Sequence, residues 1–458
     1  MAISAGIFRQ YDIRGIVDKD LTTEAARAIG AAYAAYLASH GTRGAVVVSR
    51  DNRPSGGTLR DALVDGLTAS GLDVIDIGVV PTPLNYWALH HLPVVGGIQI
   101  TGSHNPPEYN GFKLSVGTAS MHGDDIQELY KLTQSPKRPE AAGSTGSRRD
   151  EAVIDRYIDD IVSRIGPLAR HIRIVYDCGN GAGALVARQL FAKLGVEGRG
   201  LFCESDGTFP NHHPDPTVPE NLEDLITAVK KDQAEVGIAF DGDADRIGVV
   251  DENGTIVWGD RILILYARDV LERTGRGQPI IFDVKCSQAL PTAIENAGGV
   301  PVMWKTGHSL IKDKMREMHA PVAGEMSGHM FFTEGFYGHD DALYGAARLL
   351  RILADSGRTV AQLLSDVPDF VSTPELRIEV PEEIKFDLVD RAVKYFRAHH
   401  NVIDVDGVRV LFGDGWGLIR ASNTQPVIVA RYEASTAERL AEIRGEMEGW
   451  LRAQGVRV

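Results

Sequence analysis

Three times along the chain a β-branched run ends in a polar turn, crosses a helical stretch to a second run, and reaches a third run that breaks into an unusual loop. The first unit comprises AVVVSRDNR (45–53), LDVIDIGVV (72–80) and GGIQITGSH (96–104). The second comprises HIRIVYDCGNG (171–181), GRGLFCESDG (198–207) and EVGIAFDGDADR (235–246). The third comprises QPIIFDVKCS (278–287), VPVMWKTGHS (300–309) and APVAGEMSGHM (320–330). Strands alternating with helices build α/β domains with mainly parallel sheets covered by helices. Ligands of such sheets collect beyond the carboxyl ends of the strands. The three final loops can therefore face one crevice.

A different pattern follows. DGVRVLFGDGWGLIRASNTQPVIVARYEA (406–434) reads as antiparallel strands, with a closing helix from Ser435, which makes a C-terminal α+β domain. The low-complexity stretch SPKRPEAAGSTGSRRD (135–150) reads as one linker and DVPDFVSTPEL (366–376) as another. The expected domains are 1–147 with the serine loop, 148–252 with the aspartate loop, 253–367 with the GEMSGH loop, and 368–458. At roughly 150 residues per domain, 458 residues suggest about three domains, with four smaller ones also possible.

Acidic residues number 62 against 48 lysines and arginines, for a formal net charge of −14. That balance disfavours nucleic acid and anionic membranes as partners and requires an anionic substrate to find a locally basic pocket. Cys178, Cys203 and Cys286 are too few and too scattered for a disulfide framework or a CxxC metal site, which suits a reducing cytoplasm. The N-terminus has no signal-peptide pattern, and no apolar run reaches the ~20 residues of a membrane span. A soluble, cytoplasmic protein is expected.

In DGDADR, Asp241, Asp243 and Asp245 alternate, so their carboxylates can converge on a hard cation such as magnesium. An EF-hand would want glycine where Arg246 stands, so calcium fits poorly. A solvated acidic turn is the plain alternative, and the apolar VGIAF before it favours the metal. Arg420 and the ASNTQP that follows supply a guanidinium, hydroxyls and an amide, the outline of a phosphate cradle or else of a polar hairpin turn. GEMSGH offers Glu325, Ser327 and His329 between glycines, a set suited to sugar hydroxyls or to an ordinary loop. In DCGNGAGA, Gly179, Gly181 and Ala184 meet a relaxed dinucleotide fingerprint, with Glu197 near the ribose position, although tight strand-to-helix turns need glycines anyway. The histidine pairs at 90–91, 212–213 and 399–400 lack zinc spacing and read as loop or surface residues. Ser103 is flanked at two residues by Thr101 and Asn105 instead of glycines, so it is no esterase elbow, and taken alone it caps a turn.

FRQYDIRG, TGSHNP, DGDADR, GEMSGH and RASNTQP occur together in the order and spacing of the α-D-phosphohexomutases. The chain resembles that family, in particular its bacterial phosphomannomutase/phosphoglucomutase members, over essentially its whole length. The resemblance implies four domains around a central cleft, the first three alike. It implies that Ser103 is the phosphoserine and that Asp241, Asp243 and Asp245 bind Mg2+, with a phosphate oxygen on Ser103 as the fourth ligand. His104 and Lys113 match residues for phosphoserine support and proton transfer, and Arg246 and Lys285 match cations near the moving phosphate. Arg9, Tyr11 and Arg14 line the cleft, His308 lies beside the ligand, and Glu325 and Ser327 grip sugar hydroxyls. Arg420, Ser422, Asn423 and Thr424 match the site for the non-reacting phosphate. Gly102, Gln10 and Gln425 depart from the family's usual residues, and Gly102 is expected to leave the serine loop slightly freer.

The implied reaction interconverts mannose 6-phosphate and mannose 1-phosphate, with glucose phosphates as further substrates, through a phosphoserine and a hexose 1,6-bisphosphate that also serves as activator. The partners would be hexose phosphates, and the protein a monomer or homodimer. Lys113 as a proton acceptor calls for a lowered pKa. Met326, where phosphoglucosamine mutases usually carry glutamine, argues against an amino-sugar substrate. Phosphoglucosamine mutase, a nicotinamide-dependent oxidoreductase using DCGNGAGA, and a catalytically silent sugar-phosphate-binding protein are the competing readings.

Overall fold

The computed structural model describes residues 3–134, 145–423 and 426–458. All three repeating units build one sheet plan. In the first, Val94–Ile100 lies beside Ala45–Arg50, which lies beside Val74–Val79, all parallel, and Tyr109–Val116 returns antiparallel along Val94–Ile100. The second repeats it with Val236–Phe240, Arg173–Asp177 and Glu197–Leu201, and Ile247–Asp251 returning. The third repeats it with Val322–Gly324, Pro279–Asp283 and Val300–Trp304, and Met330–Phe332 returning. Most of these runs form strands because their β-branched and aromatic residues are buried between helices, whereas Glu197–Leu201, EGRGL and largely exposed, is an edge strand held by its pairing with Arg173–Asp177. Their cores are parallel, and the returning strand makes each sheet mixed.

This plan positions the chemistry. The loop between the third strand and its returning partner carries Ser103 in the first domain, DGDADR in the second and GEMSGH in the third. Three equivalent hairpins thus supply three different parts of one site. The FRQYDIRG segment adds the strand Ile13–Ile16, antiparallel to Tyr109–Val116, an element its composition did not announce.

Two expected boundaries move. Arg148–Asp150 pairs in parallel with Val74–Val79, so the first sheet extends past residue 147. Ile256–Val257 pairs with Ile247–Asp251, so the second sheet extends past residue 252. In both cases a short edge strand recovers hydrogen bonds that a linker would leave to water.

One continuous apolar core spans the second and third sheets and takes in Leu84, Trp87 and Leu89 of helix Thr82–His91 from the first domain. The last domain is a six-stranded sheet with antiparallel pairings, covered by helices Glu382–Arg397 and Ala437–Ala453, and has its own core. It meets the third domain through a small cluster of Val284, Trp416 and Leu418. Among the described residues no helix is long and apolar enough to cross a membrane.

Candidate active site

Ser103 sits at φ +50°, in the left-handed region that costs a non-glycine residue about 1–2 kcal/mol. Its surroundings account for it. Arg53, wholly buried, donates to the carbonyls of Ser103 (2.7 Å), Asn105 (2.6 Å), Pro106 (2.6 Å) and Tyr109 (3.0 Å), while its Nε reaches Asp51 at 3.2 Å. The Ser103 N–H donates to Thr101 Oγ1 at 2.8 Å. A Cβ on Gly102 would lie 2.5 Å from the Arg53 Cζ and 2.9 Å from the Tyr109 carbonyl. Gly102 therefore makes room for the clamp, and the expectation of a freer loop is corrected: four hydrogen bonds from one guanidinium tie it down.

The Ser103 hydroxyl points into the second domain, where Oγ donates to Asp241 Oδ2 at 2.9 Å. Asp241 Oδ1 accepts the backbone N–H groups of Asp245 and Arg246, both at 3.1 Å. Asp243 Oδ2 accepts from Thr82 (2.5 Å) and Thr101 (3.0 Å), and its Oδ1 is buried without a hydrogen-bond partner. Asp241, Asp243 and Asp245 are fully buried and offer oxygens within 4.8 Å of one another. Three converging carboxylates, one with an orphaned oxygen, are the donor set of a hard divalent cation. Burial, with Asp245 and Asp243 nearby, pushes the Asp241 carboxyl well up.

Lys113, on strand Tyr109–Val116, reaches the same carboxylates: Nζ bonds Asp245 Oδ2 and lies 3.3 Å from Asp243 Oδ2. The expected lowered pKa is not found. Burial works against the charge, but Asp243 and Asp245 outweigh it and hold the ammonium well above its usual range. His104 is the reverse case, held neutral by burial and by Arg246 and Arg14, with Nδ1 3.1 Å from Ser103 Oγ.

His329 bridges the third and second domains, with Nδ1 2.7 Å from Glu325 Oε2 and Nε2 3.2 Å from Asp245 Oδ1. Burial opposes its charge, yet Asp245 and these bonds raise its pKa to about 9. Glu325 Oε1 accepts the Gly307 N–H at 2.6 Å, so both its oxygens are already engaged within the protein. Ser327 Oγ lies 3.3 Å from His329 Nδ1. The Met326 side chain packs against the shared apolar core. His308 begins helix His308–Met318; its Nδ1 is buried, 3.6 Å from Asp340 Oδ2, and burial keeps the ring neutral.

The last domain completes the ring. Asp406 Oδ2 accepts from Arg420 Nε (2.9 Å) and the Thr306 N–H (3.1 Å). Tyr11 Oη donates to the Thr306 carbonyl and accepts from Asn423 Nδ2, both at 2.7 Å, linking the first, third and last domains. Lys285 Nζ meets Glu375 Oε2 at 3.1 Å, which pulls that carboxyl down to about 2. Arg409 holds the turn carrying Lys285 through the carbonyls of Val284 (2.8 Å) and Cys286 (2.7 Å), its guanidinium 3.7 Å over the Trp416 ring. Arg14 contacts Asn105 of the serine loop at 3.3 Å and Asp12 at 2.6 Å, and the Arg9 N–H donates to the Asp12 carbonyl. Arg246 is partly buried beside Asp241, Asp245 and Glu325, and Ser422 is buried at the end of strand Gly415–Ala421. Thr424 lies outside the described residues.

The dinucleotide reading fails on topology. Glu197 pairs with Arg173 at the amino ends of two parallel strands, a full strand length from the glycine turn after Asp177. The glycines instead admit the aspartate loop: the Ala182 N–H donates to the Gly242 carbonyl at 2.9 Å, and a Cβ on Gly181 would lie 2.7 Å from that oxygen. Arg53 and Asp51 are site residues that carry no motif signal in the sequence, and His329, which GEMSGH offered for sugar hydroxyls, instead bonds Glu325 and Asp245.

Residues 5–139, 155–254 and 258–370 match the phosphoglucomutase/phosphomannomutase alpha/beta/alpha domains I, II and III, and 375–449 match the C-terminal domain. The chain is 46% identical over 452 residues to a Pseudomonas aeruginosa protein named phosphomannomutase/phosphoglucomutase, covering 98% of this chain and 96% of that protein. It is likewise 46% identical over 452 residues to a Neisseria gonorrhoeae phosphoglucomutase, covering 98% and 97%. A crystal structure of a Burkholderia thailandensis phosphoglucomutase/phosphomannomutase family protein superposes with a TM-score of 0.90 at 46% identity, covering 98% of each chain.

Proposed function

The chain belongs to the phosphoglucomutase/phosphomannomutase family, and from that premise we propose that it interconverts the 1- and 6-phosphates of mannose and glucose through a phosphorylated Ser103. The observation that carries this reading is the seat of the Ser103 hydroxyl, 2.9 Å from Asp241 within a buried three-aspartate cluster. Phosphoryl transfer is largely positioning and charge stabilisation, and that oxygen is met by His104 from its own domain and by Asp241 from the second.

Asp241, Asp243 and Asp245 would hold Mg2+, which when bound would offset the phosphoryl charge and the carboxylate charge that otherwise keeps Lys113 protonated. His104, neutral and 3.1 Å from Ser103 Oγ, is the nitrogen base at the serine oxygen. Lys113 faces the same carboxylates and is placed to exchange a proton with the sugar oxygen. Protonated His329 orients Glu325 toward Gly307 and neutralises Asp245. Arg420, Ser422, Asn423 and Thr424 would take the phosphate that does not react, so that the intermediate bisphosphate can turn and present its other end to the same serine. Lys285, Arg246, Arg9 and Arg14 supply positive charge along the path.

The three cysteines are free thiols, which suits the cytoplasm as the working compartment, with the protein a monomer or homodimer there. The test is turnover on mannose, glucose and glucosamine 1-phosphates with a trace of glucose 1,6-bisphosphate. Formation of mannose and glucose 6-phosphates is expected, and a preference for the amino sugar would contradict the reading.

A further inference from the structure

Two thiols outside the site face each other. Cys178 follows strand Arg173–Asp177, and Cys203 follows its parallel neighbour Glu197–Leu201. The two chains stay bonded past the strand ends: the Cys178 N–H donates to the Leu201 carbonyl (3.1 Å) and the Asn180 N–H to the Phe202 carbonyl (2.8 Å). The sulfurs lie 3.1 Å apart. A disulfide, at about 2.0 Å, asks them to close by about 1 Å. Cys178 is fully buried and Cys203 partly exposed, so an oxidant would reach Cys203 first. The contact with Cys178, with Arg188 near, lowers the Cys203 pKa.

The segment after Cys203 supports the serine loop. Asn52 Nδ2 donates to the Asn180 carbonyl (2.7 Å) and to Ser205 Oγ (2.9 Å). A Cβ on Gly207 would lie 2.6 Å from the Arg53 Cα, and the Phe209 ring sits 5.2 Å from the Arg53 guanidinium. Arg53 in turn holds the carbonyls of residues 103, 105, 106 and 109. On the other side, the turn after Cys178 abuts Gly242 of the aspartate loop.

We propose that Cys178 and Cys203 form a reversible disulfide on exposure to a hydroperoxide, and that this bond slows phosphoryl transfer by shifting the segment on which Arg53 and the Ser103 loop rest. The Cys203 thiolate attacks the peroxide oxygen; an S–O bond forms, the O–O bond breaks, and the alcohol or water leaves. The Cys178 sulfur then attacks Cys203, the S–O bond breaks, and the Cys178 proton departs with hydroxide as water. Two thiols and one hydroperoxide thus give one disulfide, one alcohol (or water) and one water. A dithiol reverses it by exchange.

The experiment treats the purified full chain with hydrogen peroxide, alkylates remaining thiols, digests without reduction and maps the peptides, with turnover measured in parallel. A Cys178–Cys203 cross-linked peptide with Cys286 alkylated is expected, together with a roughly 10-fold or greater fall in turnover, since misplacement by about 1 Å can cost about 100-fold. Dithiothreitol should restore activity, and Cys203→Ser should keep basal turnover and lose the peroxide response. Recovery of both thiols alkylated, a cross-link with unchanged turnover, or the same peroxide loss in Cys203→Ser would each overturn the proposal. The peptide map reads independently of which sugar the enzyme prefers.

Discussion

The Arg53 guanidinium donates to the Ser103 carbonyl at 2.7 Å and grips three further carbonyls of the same loop, Asn105 through the same Nη2 and Pro106 and Tyr109 through Nη1. The fork geometry matters, because a lysine in its place is a point donor that cannot span four carbonyls. Arg53→Lys should therefore lower kcat by about 10–100-fold, with substrate KM changed much less, as expected when a reacting group loses its alignment. Steady-state kinetics read the split, and a selective rise in KM would contradict the positioning role.

Removing divalent cations with a chelator should abolish turnover, and magnesium should restore it. Asp243 carries the orphaned oxygen, so Asp243→Asn should raise the magnesium needed for half-maximal activity by about 10–100-fold or more, the scale of lost support at a metal site. A magnesium titration of both proteins decides it.

His329 has its pKa raised from 6.5 to about 9. A group whose folded pKa is raised contributes stability that is fully present below its unfolded pKa and lost as pH rises through the folded one. The contribution, on the order of 3 kcal/mol, should thus be intact at pH 6 and gone above about pH 9. Thermal unfolding of the metal-free protein from pH 6 to 10 should show this decline, and His329→Gln should flatten it within that window.

Arg420 sits buried against Asp406 on the last domain. A charge-assisted bond to phosphate is worth about 1.5–3 kcal/mol, so Arg420→Ala should cut kcat/KM by roughly 10–100-fold. Phosphorylation of Ser103 by the bisphosphate should still be detectable in that variant.

The strands that carry Ser103, Asp241 and Glu325 are legible because each is a buried β-branched run that stops at a loop of unusual composition, and such runs admit few alternatives. The antiparallel return of Tyr109–Val116, Ile247–Asp251 and Met330–Phe332 is less so, since a buried strand looks the same in either direction. Arg53 escaped because its work is done on backbone carbonyls, which leave no trace in a motif. Lys113 lies against the aspartate cluster, but its charge depends on Asp243 and Asp245, contributed from another domain by residues more than a hundred positions away. The glycines of DCGNGAGA carried a true signal for close backbone approach, though what approaches is the loop at Gly242 and no dinucleotide.

The central claim is that one serine carries the phosphoryl group between the two ends of a sugar. The most direct measurement is peptide mapping by mass spectrometry after incubation with glucose 1,6-bisphosphate. A single phosphate on Ser103, absent from an inactive Ser103→Ala variant, is the predicted result. An unphosphorylated Ser103 in enzyme that is turning over, or wild-type rates from Ser103→Ala, would contradict it.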